Sequence, residues 1–174
     1  MRSILIVGGT KGIGKAIVEE LIDNNKVICM SRNITDFTHD NYTHFQIDST
    51  KDDFPEIENI DTLIYCPGSI NLKPISTLSI ENFREDFELN VIGAVKAIKK
   101  YLPVIKKGEN PSILLFSTVA TKLGMPYHAS VSASKSAIDG IVKTLGAELA
   151  PKIRVNAIAP TITNTELASK NFKK

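Results

Sequence analysis

Short apolar runs alternate along the chain with longer stretches in which apolar residues return every third or fourth position. Ile4 to Val7, Lys26 to Met30, Thr43 to Ile47, Thr62 to Cys66, Ser112 to Phe116 and Arg154 to Ile158 have the length and near-continuous hydrophobicity of buried strands. Between the first two, Ile13, Ile17 and Leu21 recur at four-residue intervals with Val18 and Ile22 beside them. Lys15, Glu19, Glu20 and Asp23 take the other side, which makes an amphipathic helix. Ser79 is placed to cap a second helix, long and apolar on one side from Asn82 to Lys100, with Pro103 and Gly108 as its stop signals. A third long helix is predicted from Ser130 to Leu149, closed by Pro151. Strands separated by helices predict right-handed crossovers, and so an α/β fold: a doubly wound parallel sheet of Rossmann type with helices on both faces.

Composition narrows the picture without changing it. Hydrophobic residues make up 43% of the 174 positions and charged residues 23%, enough apolar material for one substantial core, so one domain over residues 1–174 is expected. The 21 Lys and Arg nearly balance the 19 Asp and Glu, and apart from a short basic end at Lys170 to Lys174 the charges are dispersed. That excludes the footprint of a nucleic-acid-binding surface. The apolar runs are too brief for a membrane span or a signal peptide. Cys29 and Cys66 both lie inside apolar runs and read as small buried hydrophobes, not as a disulfide or a metal pair. A cytoplasmic protein without a metal site is the expectation.

The chemistry begins at GGTKGIG, Gly8 to Gly14, between the first strand and the first helix. Glycines at 8, 12 and 14 suit a tight turn off the strand, close backbone approach to a pyrophosphate, and close packing of helix on sheet. The helix start then offers free N–H groups and partial positive charge to phosphates. The spacing Gly8-x-x-x-Gly12-x-Gly14 resembles that of the short-chain dehydrogenase/reductase family. Six further motifs resemble that family's in the same order: FQIDST, YCPG, ELNVIGA, LLFSTVA, SASKSA and RVNAIAP.

The resemblance implies a bound dinucleotide held by Gly8, Thr10, Lys11, Gly12, Ile13 and Gly14, with Asp48 at the adenine. Gly68, Lys135 and Thr165 would sit nearer the nicotinamide. At the end of the second strand, where NAD-specific members place an acidic residue, this chain has Ser31 and Arg32: space, and a planar cation suited to a 2′-phosphate. With Lys11 adding charge on the same side, the expected cofactor is NADP(H).

The same resemblance assigns the chemistry to Asn, Ser, Tyr and Lys. Asn90 and Lys135 match two of these, and Thr118 stands at the serine position and keeps a hydroxyl. Ser117 beside it would point the other way in an extended segment. The tyrosine position, four residues before Lys135, holds Val131, which cannot give a proton. His128, seven residues before Lys135 and near the same helical face, and its neighbour Tyr127 are read as loop residues packing at the pocket rim. Further departures are Val7, Tyr65, Cys66 and Thr161, each at a position where the family carries a threonine, an asparagine or a glycine. The chain also stops soon after TNTEL, so the family's substrate-covering helices and last strand are expected to be absent, leaving an open substrate side and a bare sheet edge. The two long helices that commonly pair protomers in the family are present, which implies a homodimer.

The resemblance implies two functions. One is an NADPH-dependent oxidoreductase acting on a small carbonyl or alcohol, slow or atypical because the phenol is missing; a 3-oxoacyl thioester is one substrate that resemblance alone offers. The alternative is a non-catalytic NADP(H)-binding protein with a regulatory or partner-subunit role.

Overall fold

All six predicted strands form, and they lie in a single parallel sheet of order β3-β2-β1-β4-β5-β6. They are β1 (Arg2–Val7), β2 (Asn25–Ser31), β3 (Tyr42–Gln46), β4 (Thr62–Tyr65), β5 (Ser112–Phe116) and β6 (Arg154–Ile158). The computed structural model describes residues 1–171, without the side chains of 170 and 171, so the basic end at Lys170 to Lys174 lies outside the described side chains. No helix among the described residues is long and apolar enough to cross a membrane.

Side chains alternate along β1 and divide the core in two. Leu5 and Val7 join Leu63, Tyr65, Ala94, Ala97, Ile98, Tyr101 and Ile138 on one face. Ile4 and Ile6 join Val18, Ile22, Val27 and Ile64 on the other. The second face is covered by α1 (Gly12–Leu21) and the first by α3 (Gly93–Ile105) and α5 (Ala129–Leu149), with α2 (Ile80–Phe87) packed against α5. Two short helices complete the described chain, α4 (Ala120–Leu123) and α6 (Glu166–Asn171).

Three details go beyond the sequence reading. The long middle helix starts at Ile80 on a capping box, in which Ser79 accepts from the Asn82 amide while the Asn82 side chain accepts from the Ser79 amide. It then widens into a π-helical turn at Glu88–Ile92 before continuing as α3. Pro103 does not end it: α3 runs through that residue to Ile105, because the proline falls near the helix end and the buried face of Ala97, Ile98, Tyr101 and Ile105 holds the last turn down. Finally, among the described residues no helix follows β2 or β3. The chain after β3 instead inserts Phe54, which meets the Tyr101 ring edge-on at 5.9 Å, while Tyr101 Oη donates to Pro55 O at 2.8 Å.

Strand order reverses between β1 and β4, so their carboxyl ends diverge into connections on opposite sides and leave a crevice. Gly8 N donates to Met30 O at 2.7 Å and Cys66 N to Val7 O at 2.9 Å, which continues the ladder up to its edge.

Candidate active site

The glycine turn leaves β1 through Gly8 at φ +81° and enters α1 through Gly12 at φ +52°, both in the region that favours glycine. Gly14 is required by contact: a Cβ there would lie 2.2 Å from Gly8 O. Gly9, which the motif spacing does not single out, has a packing role of its own, since a Cβ would lie 2.7 Å from Cys29 Sγ and 2.9 Å from Val18 Cγ2. The helix makes its first internal bond from Lys15 N to Lys11 O at 3.2 Å, so the amides of Gly12, Ile13 and Gly14 precede the ladder at the crevice.

A cavity of about 410 Å³ runs over this turn, bringing together Gly8, Thr10, Lys11, Gly12, Ile13, Gly14, Ser31, Arg32, Gly68 and Thr165. Asp48 is not among its walls. It borders a neighbouring groove with Arg32, Thr50 and Lys51. Its Oδ1 accepts from Thr50 N at 3.0 Å and Thr50 Oγ1 at 2.7 Å. Burial works against ionisation there, but these bonds and the charges of Arg32 and Lys51 keep the carboxyl below its usual range. Ser31 is buried, and its hydroxyl is engaged with Asn33 O at 2.9 Å and His44 Nε2 at 2.9 Å. Lys11 forms an exposed ion pair with Glu166 at 3.3 Å. Sequence alone does not single out His44 and Glu166, because each meets its partner through tertiary structure.

The first cavity meets a second of about 190 Å³ at Ile13, Cys66, Gly68, Thr165 and Leu167. The second is mainly apolar, with Ile70, Leu72, Val119, Met125, Val131 and Ile162 in its walls, and it also holds Thr118, His128 and Lys135. Lys135 is buried and donates to Phe116 O at 2.8 Å. Burial brings its ammonium down to about 8, against the opposing charges of Cys66 and Asp86. Ser117 lines the same cavity as Thr118, contrary to the expectation that they face opposite ways, because β5 ends at Phe116 and the extended alternation stops with it. Cys66 is half-buried, packing against the second core face while lining the junction, and burial pushes its thiol up to about 12.

Asn90 sits in the π-helical turn behind Gly68 and does not line either cavity. It is 1% exposed; its Nδ2 donates to Ser69 Oγ at 3.0 Å and Asp86 O at 2.7 Å, while Oδ1 has no hydrogen-bond partner. A Cβ on Gly68 would lie 3.3 Å from that Oδ1 and 3.5 Å from Lys135 Nζ, so the glycine lets both groups approach its backbone. Asp86, fully buried one helical turn before Asn90, accepts from Ser69 Oγ and, at 2.7 Å, from Asn71 Nδ2. The four-residue spacing in EDFELN is visible in the sequence; the partners Ser69 and Asn71 are not. Tyr65 fixes the turn from below, donating from Oη to Leu89 O at 2.8 Å and sharing a 3.1 Å bond with Ser49 Oγ.

A Gly-rich turn at a strand-order reversal, opening onto an apolar pocket with a buried lysine, is the frame of a dinucleotide-dependent oxidoreductase. The chain belongs to the short-chain dehydrogenase family, whose description, short chain dehydrogenase, matches residues 2–174. It is 28% identical to an uncharacterised oxidoreductase of Schizosaccharomyces pombe over 94% of this chain and 72% of that protein. It is 27% identical to a 3alpha-hydroxysteroid dehydrogenase of Mediterraneibacter gnavus over 95% of this chain and 75% of the relative. Among solved structures, ligand-free aldohexose dehydrogenase of Thermoplasma acidophilum superposes with a TM-score of 0.90 at 27% identity, covering 98% of this chain and 70% of that one. ElxO with NADP bound gives 0.85 at 25% identity, over 98% and 77% of the two chains.

Proposed function

We propose that the protein is an NADP(H)-dependent oxidoreductase that interconverts a small, largely apolar carbonyl compound and its alcohol, slowly for want of a phenol at position 131. The observation that carries this reading is the junction of the two cavities beside Lys135, which joins the channel over the glycine turn to an apolar pocket. The glycine turn fits such a cofactor because it presents amides where side chains would intrude. NADPH, when bound, supplies the hydride.

In this reading the chain's own groups divide the remaining work. The amides of Gly12 to Gly14 take the pyrophosphate, and Arg32 takes the 2′-phosphate from its exposed position at the channel mouth. Ser31 contributes space more than a donor, since its hydroxyl is already engaged. Asp48 orders the adenine end from the neighbouring groove through its turn with Thr50. Lys135 holds ribose hydroxyls, Thr118 donates to the carbonyl oxygen, and Asn90 positions the Gly68–Ser69 backbone from behind. The apolar walls exclude water and select against charged substrates. ElxO, a structural neighbour with NADP bound, supports the phosphorylated cofactor. The cytoplasm is the compartment in which the free thiols Cys29 and Cys66 stay reduced, and it is assigned on that ground. The assembly is assigned as a dimer through α2–α3 and α5, with Ile80 and Phe87 of α2 exposed for contact.

Titrating NADPH and NADH by nucleotide fluorescence tests the cofactor. Arg32→Ala is expected to weaken NADPH ~10- to 100-fold, the loss of a charge-assisted contact, and to leave NADH nearly unchanged. Equal losses for the two nucleotides defeat the assignment. Val131→Tyr is expected to raise the reduction rate of diacetyl or ethyl acetoacetate. Bound NADPH with no turnover of any carbonyl, in the wild type and in Val131→Tyr alike, would establish the non-catalytic alternative.

A further inference from the structure

We infer that His128 is the proton donor of the apolar pocket, in the role that position 131 cannot fill; the inference rests on the reductase reading above. His128 immediately precedes α5 and lines the cavity that also contains Thr118, Val131 and Lys135. Positions 128, 131 and 135 follow one face of the helix at intervals of three and four. His128 Nδ1 lies 2.6 Å from Pro126 O. A carbonyl only accepts, so Nδ1 carries a hydrogen, and Nε2 is the nitrogen left to gain or give a proton.

The backbone supports the same assignment. Tyr127 has φ +67°, a left-handed conformation that costs a side-chain-bearing residue about 1–3 kcal/mol. It is held by Lys73 N donating to Tyr127 O at 3.2 Å and Ser132 N donating to His128 O at 2.7 Å. The turn leaves Tyr127 60% exposed while His128 enters the cavity wall. A strained residue clamped from two sides, with an anchored ring beside it, is a device for aiming that ring. The other polar groups in the cavity wall are the hydroxyls of Ser69, Ser117, Thr118, Thr161, Thr163 and Thr165, far too weak as acids near neutral pH, the thiol of Cys66, and Lys135.

NADPH, when bound, would supply the hydride and its electron pair for the new C–H bond, and the carbonyl π pair would move onto oxygen. The Nε2–H bond of the imidazolium breaks, its electron pair stays on nitrogen, and the proton forms the O–H of the alcohol. NADP⁺ and neutral imidazole remain, and solvent reprotonates the ring at the open rim.

The test compares the wild-type chain with His128→Gln and His128→Asn, both able to keep a donor near Pro126 O and neither able to act as an acid at neutral pH. With NADPH and diacetyl or ethyl acetoacetate, kcat is expected to fall ~10²- to 10⁴-fold with NADPH affinity unchanged. Val131→Tyr placed in the His128→Gln chain is expected to restore turnover. The titratable groups facing the ring are Lys135 and Cys66 in the cavity and Lys73 and Tyr127 in the adjoining groove, and all four remain in the variants, so the difference isolates His128. Independently of turnover, imidazole ¹⁵N shifts of the cofactor-free protein should show the Nδ1–H tautomer of His128 at high pH. Wild-type rates in both variants, or an Nε2–H tautomer, overturn the donor assignment and leave the Lys135 ammonium in its place. A wild-type chain that binds NADPH and reduces neither probe overturns the reductase reading, and the donor with it.

Discussion

Gly93 and Tyr65 are locked to one another, and the lock can be measured. Gly93 opens α3 directly after the π-helical turn, and a Cβ built on it would lie 2.1 Å from Tyr65 Oη and 3.2 Å from Tyr65 Cζ. Alanine there should gain helix propensity of about 1 kcal/mol. To make room, however, the phenol must leave its bonds to Leu89 O and Ser49 Oγ. Losing two buried hydrogen bonds at about 1 kcal/mol each, with overpacking of about 1–3 kcal/mol, outweighs the gain. Gly93→Ala alone is therefore expected to destabilise by about 2–4 kcal/mol, which for a chain of this size lowers Tm by roughly 5–10 °C. Tyr65→Phe alone should cost about 1–2 kcal/mol. With the hydroxyl gone, the remaining contact at Cζ needs a shift of a few tenths of an ångström, so adding Gly93→Ala to the Tyr65→Phe variant should be nearly neutral. Urea denaturation of the wild type, both single variants and the double variant gives the coupling directly. A Gly93→Ala effect that is the same in both backgrounds within about 0.5 kcal/mol would refute the reasoning.

The same kind of geometry sets two further outcomes. Gly14→Ala sets its Cβ against Gly8 O, a backbone atom that cannot step aside; the expected result is a loss of roughly 2–4 kcal/mol in denaturation, together with loss of NADPH binding. Lys135→Met should stabilise the cofactor-free protein at pH 7 by on the order of 1–3 kcal/mol, because burial penalises the native ammonium. The native lysine releases its proton near 8 and the unfolded one only near its ordinary value, so wild-type stability rises with pH across that window and the advantage of methionine shrinks; parallel urea curves at pH 7 and at pH 9 to 10 check the sign.

The sheet is legible in the sequence because each strand is a short, uninterrupted apolar run with its own turn signals, and burial on both faces leaves no other use for such runs. The glycine turn is legible for a related reason: its steric requirements are local, down to Gly14 against Gly8. What escapes depends on residues distant in the chain. The π-helical turn is pinned by Tyr65 and relies on Gly93, and neither periodicity nor propensity marks it. The sequence marks no helix in the crossovers after β2 and β3, and it does not show that Phe54 and Ile60 fill the core there without helical spacing. Asp48 is placed by motif alone and lies in the neighbouring groove. His128 reads as a rim residue because nothing in its own neighbourhood reveals the left-handed turn that delivers it to the pocket.

The crevice has walls of very different age in the growing polypeptide. Pro67, which a Cβ on Gly8 would touch at 3.0 Å, is made well after the glycine turn, and Thr165, which would meet a Cβ on Gly12 at 3.3 Å, later still. A partly made chain therefore owns only one bank of the channel.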